Sequence, residues 1–203
     1  MATIPNKQRL ISTLYKGIDG FSCDEPDGRR LRHRGLVYGE LTPLGVQQML
    51  KYLKLTENDV FYDFGSGVGK LVLQVAATVP VKKCVGIEIV HSRYEAAQKV
   101  LKEAKAQGVL LAGQTTFRHE SIFDSDAKGA TVVYVASTCF NDRMMQTLAT
   151  KISNSSRPVT LITLQNFSRK HRGLEFVDTI NLHATWSDAV VGHVYRSTPK
   201  KDR

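Results

Sequence analysis

The stretch Val60-Phe61-Tyr62-Asp63-Phe64-Gly65-Ser66-Gly67-Val68-Gly69-Lys70 decides the fold. It opens as a short apolar strand that ends in an acid. A glycine-rich turn follows, and then a helix carrying Leu71, Leu73, Val75 and Ala76. A turn of this kind lets a ligand approach the main chain closely. Taken alone it suits a nucleotide, a flavin or a purely structural turn. Two features narrow the choice. The spacing is G-x-G-x-G, neither the dinucleotide G-x-G-x-x-G nor the P-loop G-x-x-x-x-G-K-[ST]. Asp63, at the strand end, would repel a pyrophosphate and attract an ammonium group. That preference fits the methionine end of S-adenosylmethionine, which carries no phosphate and bears a sulfonium. NAD is the rival ligand.

Working outward, strand and helix patterns alternate. Thr42-Pro43 opens a helix with Val46, Met49, Leu50 and Leu53 on one face, Thr as cap and Pro at the first helical position. Residues 84–89 read as a second strand in which Glu88 stands where an acid hydrogen-bonds ribose hydroxyls. Ser92 and Glu95 have the spacing of a capping box for the next helix. Further strands are predicted over 115–118, 131–135 and 159–164, with a helix over 142–152, and two strand-like stretches finish the chain at 176–182 and 189–195. This order predicts an α/β, Rossmann-like fold of the class I methyltransferase type. Its sheet has seven strands, mostly parallel, with helices on both faces and an antiparallel last strand.

The 203 residues suffice for one α/β domain with a full core. Residues 38–203 are read as that domain, and residues 1–37 as a polar, basic segment capping its site. Lys and Arg outnumber Asp and Glu by 28 to 19, giving +9 at pH 7. That balance favours acidic partners, nucleic acid and nucleoprotein among them, although it also serves solubility. Cys23, Cys84 and Cys139 are odd in number and contain no C-x-x-C, which argues against a disulfide framework or a zinc site and for an intracellular home. No apolar run approaches the roughly 20 residues of a membrane span, and the N-terminus lacks a signal core. His33, His91, His119, His171, His183 and His193 are scattered, and none pairs at i, i+4, so no metal is expected.

Three segments are more specific than the loop. Tyr38-Gly39-Glu40-Leu41-Thr42, the run from Val60 through Val72-Leu73-Gln74-Val75-Ala76, and Val85-Gly86-Ile87-Glu88 resemble the non-SET histone-lysine N-methyltransferases of the disruptor-of-telomeric-silencing type. The resemblance covers nearly the whole chain. It implies transfer of a methyl group from S-adenosylmethionine to a lysine of a basic protein, a histone or nucleosome, leaving S-adenosylhomocysteine. It therefore implies a chromatin regulator, nuclear if the substrate is a histone and otherwise cytoplasmic.

Position by position, it implies that Tyr38, Glu40 and Thr42 lie on the loop closing over the cofactor. Asp63, Gly65, Ser66, Gly67, Gly69 and Lys70 hold the methionine end, and Glu88 the ribose. Ser121 and Ile122 flank the adenine. Residues 135–140 form the target channel, Phe140 and Trp186 wall it, and His193 lies near the cofactor. The chain departs from the family's pattern at Ser121, usually Asp, and at Ala136, usually Asn. These departures leave open a catalytically impaired, cofactor-binding scaffold. A small-molecule or other-protein methyltransferase on the same fold is the further alternative. A base methyltransferase with an N-P-P-Y or D-P-P-Y tetrad is disfavoured, since neither occurs. Arg169-Lys170-His171-Arg172 and Lys200-Lys201-Asp202-Arg203 are the clusters available for nucleic-acid contact.

Overall fold

The alternation of strands and helices builds a seven-stranded sheet. The computed structural model describes residues 10–18, 20 and 39–198. Tyr38, Cys23, His33, the basic cluster at 200–203 and nearly all of the segment 1–37 lie outside them. The strands are β1 (Val60–Phe64), β2 (Lys83–Glu88), β3 (Thr115–His119), β4 (Val132–Val135), β5 (Thr160–Thr163), β6 (Leu174–Ala184) and β7 (Ser187–Ser197). Their order is β3-β2-β1-β4-β5-β7-β6. β1 to β5 pair in parallel, and β7 runs antiparallel between β5 and β6. The final hairpin is longer at both ends than its apolar stretches predict.

Four helices follow: α1 (Pro43–Leu53), α2 (Lys70–Thr78), α3 (His91–Ala106) and α4 (Asp142–Ser153). Thr42 caps α1 as expected, its hydroxyl accepting from Gly45 N at 3.3 Å. Asn141 caps α4 by accepting from Met144 N at 2.9 Å. The expected capping box at Ser92 does not form. Glu88 Oε1 accepts from Val90 N at 2.7 Å, and the backbone turns into α3 at His91, one residue early. Ser92 Oγ is then buried without a partner, and Glu95 pairs with His91 instead.

Alternation along β1 sends Phe61 to one core and Tyr62 and Phe64 to the other. The first core takes Val46 and Met49 of α1, Leu73 of α2 and Val100 of α3. The second takes Leu148 and Ile152 of α4. Both faces of the sheet are therefore covered, and β1 is buried along its whole length. Chain order reverses between β1 and β4, and ligands of open α/β sheets settle beyond the strand ends at such a point. Asp63 lies there, opposite Tyr134 of β4.

Candidate functional site

The glycine turn is pinned to the neighbouring strand by its own backbone. Gly65 N and Ser66 N both donate to Ile87 O, at 2.8 and 2.9 Å. Gly67 N donates to Glu88 Oε2 at 2.7 Å, while Oε1 of the same carboxylate takes Val90 N. Glu88 is thus clamped between the loop and the start of α3. Close approach explains two of the glycines. A side chain at Gly69, where φ is +86°, would meet the Phe117 ring at 2.4 Å, and one at Gly86 would meet Phe117 and Ser66 Oγ.

Above this turn lies a cavity of about 600 Å³, within the range of small-molecule and cofactor pockets. Asp63 enters its floor and is only 3% exposed. Burial, and then the nearby charge of Glu88, push its carboxyl up to about 8. Burial and Asp63 in turn push the Tyr134 phenol above its ordinary value. A buried carboxylate of this kind gains most from a cationic ligand, which would restore its charge.

Lys70 and Glu40 form the second charged feature, with Nζ 2.6 Å from Oε2. The Lys70 ammonium also lies 5.4 Å from the centre of the Tyr15 ring, whose hydroxyl donates to Val68 O at 3.0 Å. The loop holding Glu40 is joined to the tip of the β6–β7 hairpin. Thr185 N donates to Glu40 O at 2.9 Å, and Leu41 bridges to Ala184. This junction brings Trp186 over the cavity.

Glu40, Asp63, Gly65, Ser66, Gly67, Lys70, Glu88, Ser121, Ile122, Phe140 and Trp186 all border this one space. Thr42 and Gly69 do not. The Thr42 hydroxyl is engaged by Gly45 N and by His183 Nδ1 at 2.9 Å, and Gly69 packs against Phe117. His193 is also placed elsewhere: on β7 it pairs with Thr163 and borders a separate cleft. The position of β7 between β5 and β6 carries it away from the glycine turn. Tyr38 lies outside the described residues.

Several lining residues have no signal in the sequence. Ile89, Arg93, Phe123, Tyr134 and Met144 reach the cavity only through register and packing. Phe123 lies 6.1 Å from Phe140, ring centre to ring centre, and extends the aromatic wall. The turn after β4 sends Ala136, Thr138, Cys139 and Phe140 inward, while Ser137 is fully buried on its other side. One end of the cavity is therefore acidic and backbone-lined and the other aromatic. Among the described residues no group of three or more His, Cys, Asp or Glu side chains is placed to hold a metal, and no helix is long and apolar enough to cross a membrane.

Comparison with known proteins agrees with this geometry. A solved RNA methyltransferase from Salinibacter ruber, in complex with S-adenosyl-L-homocysteine, is 27% identical with a TM-score of 0.52 and covers 78% of this chain and 92% of its own. The fold is thus that of Rossmann-like methyltransferases. An H3 lysine-79 specific histone-lysine N-methyltransferase of Drosophila melanogaster is 54% identical over 52 residues, 26% of this chain and 3% of that protein. Its counterpart in Emericella nidulans is 27% identical over 176 residues, 81% of this chain and 34% of that protein. The chain thus spans only a minor part of the length of these two relatives. The family model described as histone methylation protein DOT1 matches residues 33–189. With a match over most of its length and a methyltransferase fold beneath it, the chain belongs to the histone methylation protein DOT1 family.

Proposed function

We propose that this chain is an S-adenosylmethionine-dependent protein-lysine N-methyltransferase acting on a histone or another basic protein. The observation that carries the reading is the continuity of one cavity from Asp63 and Glu88 to Phe140 and Trp186. The donor set fits the cofactor. Asp63 suits its ammonium, Lys70 its carboxylate and Glu88 its ribose hydroxyls, and Ser121 and Ile122 stand where they can flank its adenine.

When bound, S-adenosylmethionine supplies a methyl group on a sulfonium, open to direct displacement by an amine. The chain's own part is alignment and exclusion of water. A target lysine must be neutral to attack. Phe140 and Trp186, with Phe123 behind Phe140, form an apolar wall that lowers the amine's pKa by desolvation. The same rings hold a methylated cation by cation–π attraction. Ala136 adds no polar atom at the turn, so positioning falls to the aromatic wall and to the backbone of residues 137–139. Activity on a histone would place the protein in the nucleus, and the segment before residue 38 would close over the site.

Calorimetry with S-adenosylmethionine and with NAD tests the first half, with binding expected only for the former. Radiolabelled methyl transfer to nucleosomes, free histones and other basic proteins tests the second. Ala136 in the cavity wall supports one other reading, a scaffold that binds cofactor without turnover. Binding without transfer to any of these substrates would select it.

A further inference from the structure

A second cleft, of about 490 Å³, shares no lining residue with the Asp63–Trp186 cavity. It forms where the connection from β5 to β6 passes over the Tyr195 side of the terminal hairpin. Its floor is aromatic. Phe167 and Phe176 meet Tyr195 edge to face, with ring centres at 4.8 and 5.6 Å. The Tyr195 hydroxyl is fixed as well, donating to Asn166 Oδ1 at 2.5 Å and accepting from Phe167 N at 3.2 Å. This leaves a rigid platform on which Phe176 is 52% exposed, although its ring is among the largest apolar groups of the chain.

The walls of the cleft are basic. Arg169, Lys170, His171 and His193 border it, and no acidic residue does. Asp178, the nearest acid along β6 past Phe176, is turned to the opposite face, where it meets Tyr52 of α1. His171 ties the basic loop to α4, its Nε2 lying 3.2 Å from Thr150 Oγ1. Cationic side chains are thus held beside an exposed aromatic ring rather than dispersed over a solvated surface.

We propose that this cleft binds single-stranded nucleic acid. A base would stack on Phe176 and phosphates would pair with Arg169 and Lys170. This combination of aromatic platform and cationic groove is what single strands require. A basic rim alone would also suit an acidic protein. The predominantly aromatic floor and the half-exposed ring favour a base. The cleft adjoins the methyl-transfer cavity through Gln165, whose side chain donates to Thr138 O at 3.0 Å. Nucleic acid held here would therefore lie next to the turn that carries Phe140.

Fluorescence anisotropy with dye-labelled oligothymidylate and oligouridylate of about twelve nucleotides tests the proposal on the full chain without cofactor. Both are expected to bind. Phe176→Ala is expected to weaken binding at least about fivefold, and Phe176→Trp to preserve it. Arg169→Ala combined with Lys170→Ala is expected to lower the slope of log affinity against log salt by about two. Calorimetry with S-adenosylmethionine should be unchanged by Phe176→Ala, which keeps this result separate from the fate of the methyltransferase reading. The proposal is overturned if the wild-type chain binds neither oligonucleotide, or if Phe176→Ala binds both as tightly as wild type. Displacement by polyglutamate that is unaffected by Phe176→Ala would assign the cleft to an acidic protein and also overturn it.

Discussion

Gly39 lies flat against the indole of Trp186, so close that a methyl group added at Gly39 would meet Trp186 Cζ3 at 2.2 Å. The glycine of the Y-G-E segment is thus a seat for the ring that walls the proposed target channel. Gly39→Ala should push the indole outward. Trp186 is the chain's single tryptophan and is 46% exposed, so its fluorescence reports the displacement directly. The emission maximum should shift to the red, and methyl transfer should fall by roughly a hundredfold, as expected when a positioning group moves by about an ångström. Trp186→Ala should likewise impair transfer while sparing cofactor binding. An equal loss of both would remove the separate channel role for Trp186.

Asp63 predicts a pH dependence of binding. Its carboxyl, pushed up to about 8 by burial and Glu88, is mostly protonated in the ligand-free protein at neutral pH. A cationic ligand would hold it ionised, so binding releases a proton at pH values below 8. Affinity for S-adenosylmethionine should rise by up to about tenfold per unit between about pH 6 and pH 8, then level off. Calorimetry in buffers of differing protonation enthalpy measures the release, and a flat profile without proton release contradicts the assignment.

The same shift makes a prediction about stability. In the unfolded chain the carboxyl titrates near its ordinary value of 3.8, so between that pH and about 8 the folded state holds the extra proton. The ligand-free protein should therefore lose stability as pH rises through this window. Asp63→Asn abolishes the loss. At pH 8 its melting temperature should exceed that of the wild type, by about 2–4 °C for each kcal/mol relieved, while cofactor binding disappears.

Lys70 and Glu40 make a coupled pair at the mouth of the cavity. Each stands 2.6 Å from the other, and both are largely withdrawn from solvent. Removing either leaves the partner's charge poorly compensated. Lys70→Met and Glu40→Gln should each weaken S-adenosylmethionine binding by about 1.5–3 kcal/mol. The double variant should lose clearly less than the sum of the two, because the residues act through one contact. Additive losses by calorimetry would show that the contact does not contribute to binding.

What the sequence disclosed about this site follows from how local each signal is. Asp63, the glycines and Glu88 were legible because strand, turn and helix specify them within one continuous stretch. Tyr134 was not, since it reaches Asp63 only through the β1–β4 register. Ser92 misled because the helix start was decided by the Glu88 carboxylate on Val90 N, a contact that a capping pattern does not encode. Thr42 was read correctly as a cap, yet that same bond, together with His183, withdraws its hydroxyl from the cavity. His193 was displaced by the insertion of β7 between β5 and β6, which strand counting leaves undetermined.

Gln165 is the residue whose importance depends most on such non-local contacts. Its backbone N donates to Ser137 Oγ at 3.1 Å, its side-chain amide donates to Thr138 O at 3.0 Å, and Thr163 Oγ1 donates to its carbonyl at 2.7 Å. Ser137 and Thr163 are both fully buried, so these bonds form a closed bracket behind the turn that presents Phe140. Gln165 touches no lining position of the cavity itself and acts as a positioning residue. Gln165→Ala should leave cofactor affinity intact while lowering kcat about tenfold, since the turn becomes free to shift. A second measurement needs no turnover. Cys139 rides on the same turn and is partly exposed, whereas Cys84 is fully buried. Peptide-resolved alkylation should speed up at Cys139 in Gln165→Ala and stay slow at Cys84. Gln165→Glu, which keeps the length but cannot donate to Thr138 O, should behave like the alanine variant. If Gln165→Glu retained the wild-type alkylation rate, the side-chain bond would have no part in holding the turn.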